Sequence, residues 1–337
     1  MDRRHWTLRF LIEFGSIMLN LAVGIALLWA AGALRYDLPA QDMSRKVIAI
    51  VWILGTNILW FVVRPRWQAR LSVAVAFALI LFWWLRIQPK QDRDWKPEVA
   101  QTASAVIEGN RLTVRNVRNF DYKTVSDFTA NWETRTYNME NLRAVDLFIN
   151  SWGSAWMVHP IFSFDFGPDG HLCFSIETRP ELGEEYSAVG GLYRRYELIY
   201  LAADERDVVR VRTNYRGNEK TWLYRLKLPP DAVRTRLMEF IKRVNELNEN
   251  PAWYNAVTDN CTTSVRAQHP AHERPPWDWR MLLNGKADRM LYGMGVLNQS
   301  LPFDQLKEKS LINDRAHDAD HDATFSARIR AGVPGME

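Results

Sequence analysis

Three apolar runs crowd the start of the chain: Ser16–Leu34, Val47–Val63 and Leu71–Ile87. Each holds 17 to 19 residues, at or just under the length a helix needs to cross a hydrocarbon core. Trp60, Trp83 and Trp84 stand near run ends, where aromatic belts form. The pattern predicts a membrane domain over 1–90 with three transmembrane helices, then a charged linker over 91–104. Arg3, Arg4 and Arg9 followed by Ala31-Gly32-Ala33 also resemble a cleavable export signal. Three helices starting inside, or two after a cleaved signal, both export the C-terminal part of the chain. Glu13, near the start of the first run, is expected at the membrane interface.

Beyond the linker the hydrophobic period shortens. Ala105–Asn119 alternates around Glu108-Gly109-Asn110 as a hairpin does. Asn138–Asn150 reads as a short helix, and Val158–Thr178 gives the clearest strand alternation in the chain. Further strands are expected over Tyr196–Ala202, Val208–Thr213 and Thr221–Leu228. Pro229-Pro230-Asp231 opens a helix running to about Asn248, with Pro230 in its first turn and Asp231 at the positive end of its dipole. The expected fold class is α+β, an antiparallel sheet with helices after it, spanning 105–310 and followed by an irregular tail over 311–337.

Charge divides the chain the same way. Residues 1–96 carry 13 Lys/Arg against 6 Asp/Glu, a net of +7, and the remaining 241 carry 30 against 33, a net of −3. A nucleic-acid surface puts its basic excess on the folded part, so no nucleic-acid partner is expected. The loop over 64–70 holds three arginines and no acid, as a cytoplasmic loop should, although the neighbouring loops are basic too.

Two cysteines, Cys173 and Cys261, exclude a disulfide framework and a CxxC zinc site. In HPIFSFDF-GPDG-HLCFSIET, a three-residue loop Pro168-Asp169-Gly170 would pair Gly167 with His171. His159 then lies across from Arg179 and diagonal to Glu177. Alternation places Phe162, Phe164, Phe166, Phe174 and Ile176 on one face, and His159, Ser163, Asp165, Cys173, Ser175 and Glu177 on the other. An imidazole beside a carboxylate is what an oriented general base requires. The nucleophile candidate is Cys261, in TDNCTTSV. Asp259 or Asn260 would cap a helix there, so that backbone N–H groups around Asn260 and Thr262 stabilise a thiolate and a developing oxyanion. Cys173, mid-strand among aromatics, is expected to be structural. His317-Asp318-Ala319-Asp320-His321-Asp322 has metal-ligand composition but a polar setting, and is expected to be solvated. Arg194-Arg195, Asp204-Glu205-Arg206-Asp207 and Arg210 are expected as surface charges or ion pairs.

The stretch RNFDYKTVSDFTANWETRTYNMENLRAVDLFINSWG, with WMVHPIFSFDF, HLCFSIETR, YELIYLAADERDVVRVRTN and YNAVTDNCTT, resembles the Lnb N-terminal periplasmic domain family over about residues 115–270, and FSARIRAGVPG looks like family sequence too. The resemblance implies a permuted papain-like, NlpC-type thiol fold in which the histidine strand precedes the cysteine helix. It places the catalytic cysteine on Cys261 and the histidine on His159, while Glu177 as the orienting group comes from strand parity. The family takes its name from lipoprotein N-acyltransferases, so the resemblance implies an acyltransferase or acyl hydrolase, multi-pass in a bacterial inner membrane with its soluble domain in the periplasm. Its partners would be the lipid bilayer and a phospholipid or lipoprotein substrate, with no metal or cofactor. Here the membrane helices precede the domain, a departure from the namesake's layout. Two other readings stand beside it: a cell-wall peptidase or amidase using the same residues, and a catalytically inactive membrane scaffold.

Overall fold

The computed structural model describes residues 3–154, 156–259, 263–268 and 284–336. It divides into two units, 1–89 with 186–195, and 90–185 with 196–337.

The first unit holds α1 (Arg3–Tyr36), α2 (Asp42–Val62) and α3 (Arg66–Arg86). All three are long and apolar enough to cross a membrane. Leu28, Ile50 and Leu79 face outward, as lipid-facing positions do, while small residues are buried where helices meet: Ala30, Ala33, Ala49 and Ala69. Trp52 Nε1 donates to Leu27 O at 3.0 Å, tying α2 to α1. The segment 186–195 belongs to this unit, which the sequence expectation of 1–90 did not include. Tyr193 stacks on Tyr36 at 5.4 Å between ring centroids. Arg194, expected as a surface charge or ion pair, donates to Trp84 O at 2.8 Å and Ile87 O at 2.7 Å. A guanidinium there supplements the capping of carbonyls at the end of α3, where Trp84 O also accepts from Ile87 N–H.

The second unit is built on a sheet of β1 (Ser104–Glu108), β2 (Arg111–Arg118), β5 (Trp132–Asn138), β6 (Ala144–Ser151), β7 (His159–Asp165), β8 (His171–Arg179), β9 (Glu197–Ala203) and β10 (Lys220–Arg225). A small pair, β3 (Asp121–Tyr122) and β4 (Phe128–Thr129), lies apart. The order is β1-β2-β9-β8-β7-β6-β10, with β5 also on β2. Every pairing is antiparallel except a single parallel bridge, Arg118↔Ala203. Glu108↔Arg111 closes the first hairpin around Gly109-Asn110 as expected.

One face of the sheet is covered by α5 (Pro230–Glu249), which presents Val233, Leu237, Phe240, Ile241 and Val244. Phe240 reaches Phe162, Phe164, Phe174 and Tyr200 within 6 Å. Three short helices come after it in the chain, α6 (Thr263–Gln268), α7 (Ala287–Gly293) and α8 (Phe303–Ser310). The opposite face of the sheet is covered as well. Ile161, Cys173 and Leu201 pack there with Ile312, Ala316, Phe325, Ile329 and Val333. The expected irregular tail over 311–337 is therefore corrected: α9 (Asn313–Asp318) and α10 (Phe325–Arg330) close the second core. Polar and charged residues interrupt the tail's apolar ones, which are spaced to fall on the inward side.

Two further expectations are corrected. Ala144–Ser151 is a strand, not part of a helix, because it lies between β7 and β10 with both faces covered. Apart from Asp146, Asn150 and Ser151 the run is apolar, and periodicity does not separate it from a buried helix. Val208–Thr213 is helical, not a strand. Asp204 caps α4 (Glu205–Val208) by accepting from the Arg206 N–H, and a wide π turn over Val211–Tyr215 comes next. Of the charges expected at the surface or in ion pairs, Asp207 and Glu205 are buried ion-pair partners. Arg118 forks onto Asp207 at 2.7–3.1 Å, and Arg330 binds Glu205 at 2.5 Å and Asp146 at 2.9 Å. Burial alone would raise the Glu205 carboxyl, but the Arg330 guanidinium outweighs it and holds that group well below the usual carboxylate range.

Candidate functional site

The site forms where β7 begins. Hydrogen-bonded partners run Ile161↔Ser175 to Asp165↔His171, two residues out of the expected register. The loop is Phe166–Gly170, with Phe166 N–H donating to Gly170 O at 2.9 Å. The Phe166 ring is buried against Tyr137, 4.7 Å away between centroids, where the chain enters the loop. Gly167 and Gly170 take positive φ (57° and 88°), which lets the chain turn around it. The correction has a benign consequence. A shift of two residues keeps every side chain on its face, so His159 still shares a face with Ser175 and Glu177. Continued to its end, the register sets His159 opposite Glu177 rather than Arg179.

His159 Nε2 lies 2.7 Å from Ser175 Oγ, and Ser175 Oγ donates to Glu177 Oε1 at 2.7 Å. The direct His159 Nε2 to Glu177 Oε1 distance is 3.6 Å, too long for a hydrogen bond. Glu177 in turn accepts from Arg212 Nη2 at 3.1 Å, and Arg212 Nη1 reaches Glu219 at 3.3 Å. Behind His159, its carbonyl accepts from Asn150 Nδ2 at 3.1 Å, and Asn150 Oδ1 accepts from Thr221 at 2.8 Å. On the preceding residue, Asn284 Nδ2 donates to Val158 O at 2.9 Å and Asn284 Oδ1 accepts from Val158 N at 2.8 Å. The backbone entering β7 is thus held from both sides.

A serine has one proton to give. Ser175 spends it on Glu177, so His159 Nε2 must carry the proton donated to Ser175 Oγ. The lone pair of the neutral ring then sits on Nδ1. Burial first, and the charge of Arg212 second, lower His159 to about 3, against the pull of Glu177. Burial alone would raise Glu177, but Arg212 and His159 outweigh it and hold it ionised below the usual carboxylate range. The arrangement is a neutral imidazole with a fixed tautomer, backed by an anion that a guanidinium holds in place.

The structure thus brings His159 and Glu177 together, through a serine. Cys261, Asn260 and Thr262 lie outside the described residues. The helix on their C-terminal side, α6, places Val265 against the core beneath α5. Asp259 accepts from the Thr258 hydroxyl at 2.7 Å. Cys173 is fully buried and free, its thiol pushed well above its ordinary value by burial, in accord with a structural part. Among the described residues no group of three or more His, Cys, Asp or Glu is placed to hold a metal. His317 and His321 are exposed, while Asp320 is taken by Asn214 and Tyr215.

Ser175 and Arg212 were not singled out by the sequence. Strand parity had set Ser175 on the right face, and only the register showed it between the two groups. Arg212 was hidden inside a segment read as a strand.

Residues 128–285 match the model of the Lnb N-terminal periplasmic domain family, so the chain carries a domain of that family. The matched stretch includes His159, Ser175, Glu177, Arg212 and Cys261. Neither curated proteins nor solved structures give a match.

Proposed function

We propose, on the premise that the chain carries an Lnb N-terminal periplasmic domain, that it is a membrane-anchored thiol acyltransferase or acyl hydrolase acting in the periplasm from the inner membrane. The observation that carries this reading is the His159–Ser175–Glu177 relay, which leaves one imidazole nitrogen, Nδ1, free to take a proton. A general base needs a ring nitrogen with its lone pair available, and the direction of these hydrogen bonds assigns that lone pair to Nδ1.

In this mechanism His159 Nδ1 takes the proton of the Cys261 thiol as its sulfur attacks an acyl ester carbonyl. Backbone N–H groups about Asn260 and Thr262 hold the oxyanion. The ester C–O bond then breaks, and the imidazolium returns its proton to the leaving alkoxide, giving an alcohol and a thioester. An amine, such as a lipoprotein N-terminus, attacks the thioester and yields an amide; water in its place yields a fatty acid. In either case the proton passes through His159 and the thiol is restored. The charge on Glu177 stabilises the transient imidazolium through Ser175. Three membrane helices keep the domain where acyl donors are concentrated.

The test is turnover in a phospholipid bilayer with a lipopeptide acceptor. Cys261→Ala abolishes release of lysolipid and acylation of the acceptor while thermal unfolding stays as in the native chain. Full turnover by Cys261→Ala would overturn the mechanism.

A further inference from the structure

On the far side of Glu177 from His159 lies a cleft of about 190 Å³, lined among others by Lys96, Arg118, Tyr122, Glu177, Arg212 and Arg216. Its donors are unevenly used. Arg118 spends its fork on Asp207 and on Glu98 O. Arg212 gives Nη1 to Glu219 and Nη2 to Glu177, but its Nε is buried with no hydrogen-bond partner among the described residues, on a residue only 7% exposed. Arg216 gives one nitrogen to Glu219 at 3.2 Å and is otherwise open. The Lys96 ammonium makes no ion pair among the described residues. The π turn over Val211–Tyr215 ends against Arg216 and presents both arginines to the same cleft; such turns recur at functional sites. The Arg212 charge, followed by burial, lowers the Arg216 guanidinium from its ordinary value, a mark of crowded cations. A buried guanidinium N–H left unpaired is costly, and a planar fork beside a second cation is what a tetrahedral oxyanion takes.

We propose that this cleft is an anion subsite that takes a phosphate group on Arg212 Nε–H, Arg216 and Lys96. This deepens the acyl-transfer reading, from which it takes the substrate class: a phospholipid donor brings such a phosphate with it. Glu177 joins the two sites, since it accepts from Ser175 on one side and Arg212 on the other.

Isothermal titration calorimetry of the full chain in neutral detergent, at constant ionic strength, tests it with inorganic phosphate as the probe and chloride as the control. The expected result is saturable phosphate binding that weakens at least tenfold in Lys96→Gln/Arg216→Gln, with Cys261→Ala binding as the native chain does. Lys96→Gln alone, at a partly exposed position, serves if the double variant does not fold. Dihexanoylphosphatidylglycerol displacing the phosphate assigns the site to the lipid headgroup; no displacement assigns it to free phosphate. Absence of saturable binding, or equal binding by native and variant chains, overturns the proposal. Failure of the thiol mechanism would appear instead as a missing Cys261 adduct, and would leave this titration unchanged.

Discussion

Ser175 has one hydroxyl proton, and its direction fixes the tautomer of His159. Replacing Ser175 with Ala leaves Nε2 facing a carboxylate 3.6 Å away, with nothing to hold the ring. Turnover is expected to fall on the order of tenfold to a hundredfold, as small misplacements of a catalytic group do, with little change in substrate binding; steady-state kinetics separates the two. Burial first, and the Arg212 charge second, set the acid limit. Because burial and Arg212 keep His159 neutral to about pH 3, the acid limb of kcat/KM is expected below the ordinary histidine value of about 6.5. Arg212→Gln removes a positive neighbour, so the imidazolium becomes easier to form and the limb moves up in pH. A pH profile unmoved by Arg212→Gln would contradict the relay. Stability follows the same sign. Between about 6.5 and 3 the unfolded chain binds a proton that folded His159 refuses, so stability falls as pH falls through that window.

At the scale of elements, the alternation of Phe162, Phe164 and Phe174 was enough to find β7, β8 and the face that α5 covers. Phe240→Ala is expected to lower stability by about 3–5 kcal/mol, the cost of an aromatic cavity, while the pH profile keeps its shape; urea unfolding measures the first. The hairpin shows where such reading stops. Pro168-Asp169-Gly170 carries a sound turn signal, but the observed register differs by two residues, and the loop packs on Tyr137, from a strand far away in sequence. The same holds for β6, whose two faces are buried in the separate cores on either side of the sheet. Local pattern located His159 and Glu177 on one face, because parity survives an even slip. It did not find Ser175 between them, nor Arg212 on its π turn, because both depend on packing between distant elements.

For the whole molecule, the C-terminal segment is structural. Arg330 pairs with both oxygens of Glu205, which also accepts from Ser163, and with Asp146 beneath the sheet. Arg330→Ala strands buried carboxylates and is expected to cost about 3–5 kcal/mol, read as a lowered melting temperature in detergent. The orientation is tested by labelling intact spheroplasts with an impermeant maleimide, in a Cys261→Ala background. Lys123→Cys is expected to react and Gln68→Cys only after permeabilisation; the reverse would put the domain in the cytoplasm. The central claim is that Cys261 carries an acyl group during turnover. Isolating the full chain from membranes, digesting it and weighing the Cys261 peptide tests that most directly. The account predicts a mass increase equal to a fatty acyl group, labile to hydroxylamine and absent from His159→Gln. An unmodified thiol under turnover, or a peptide fragment in place of the fatty acyl group, would contradict it.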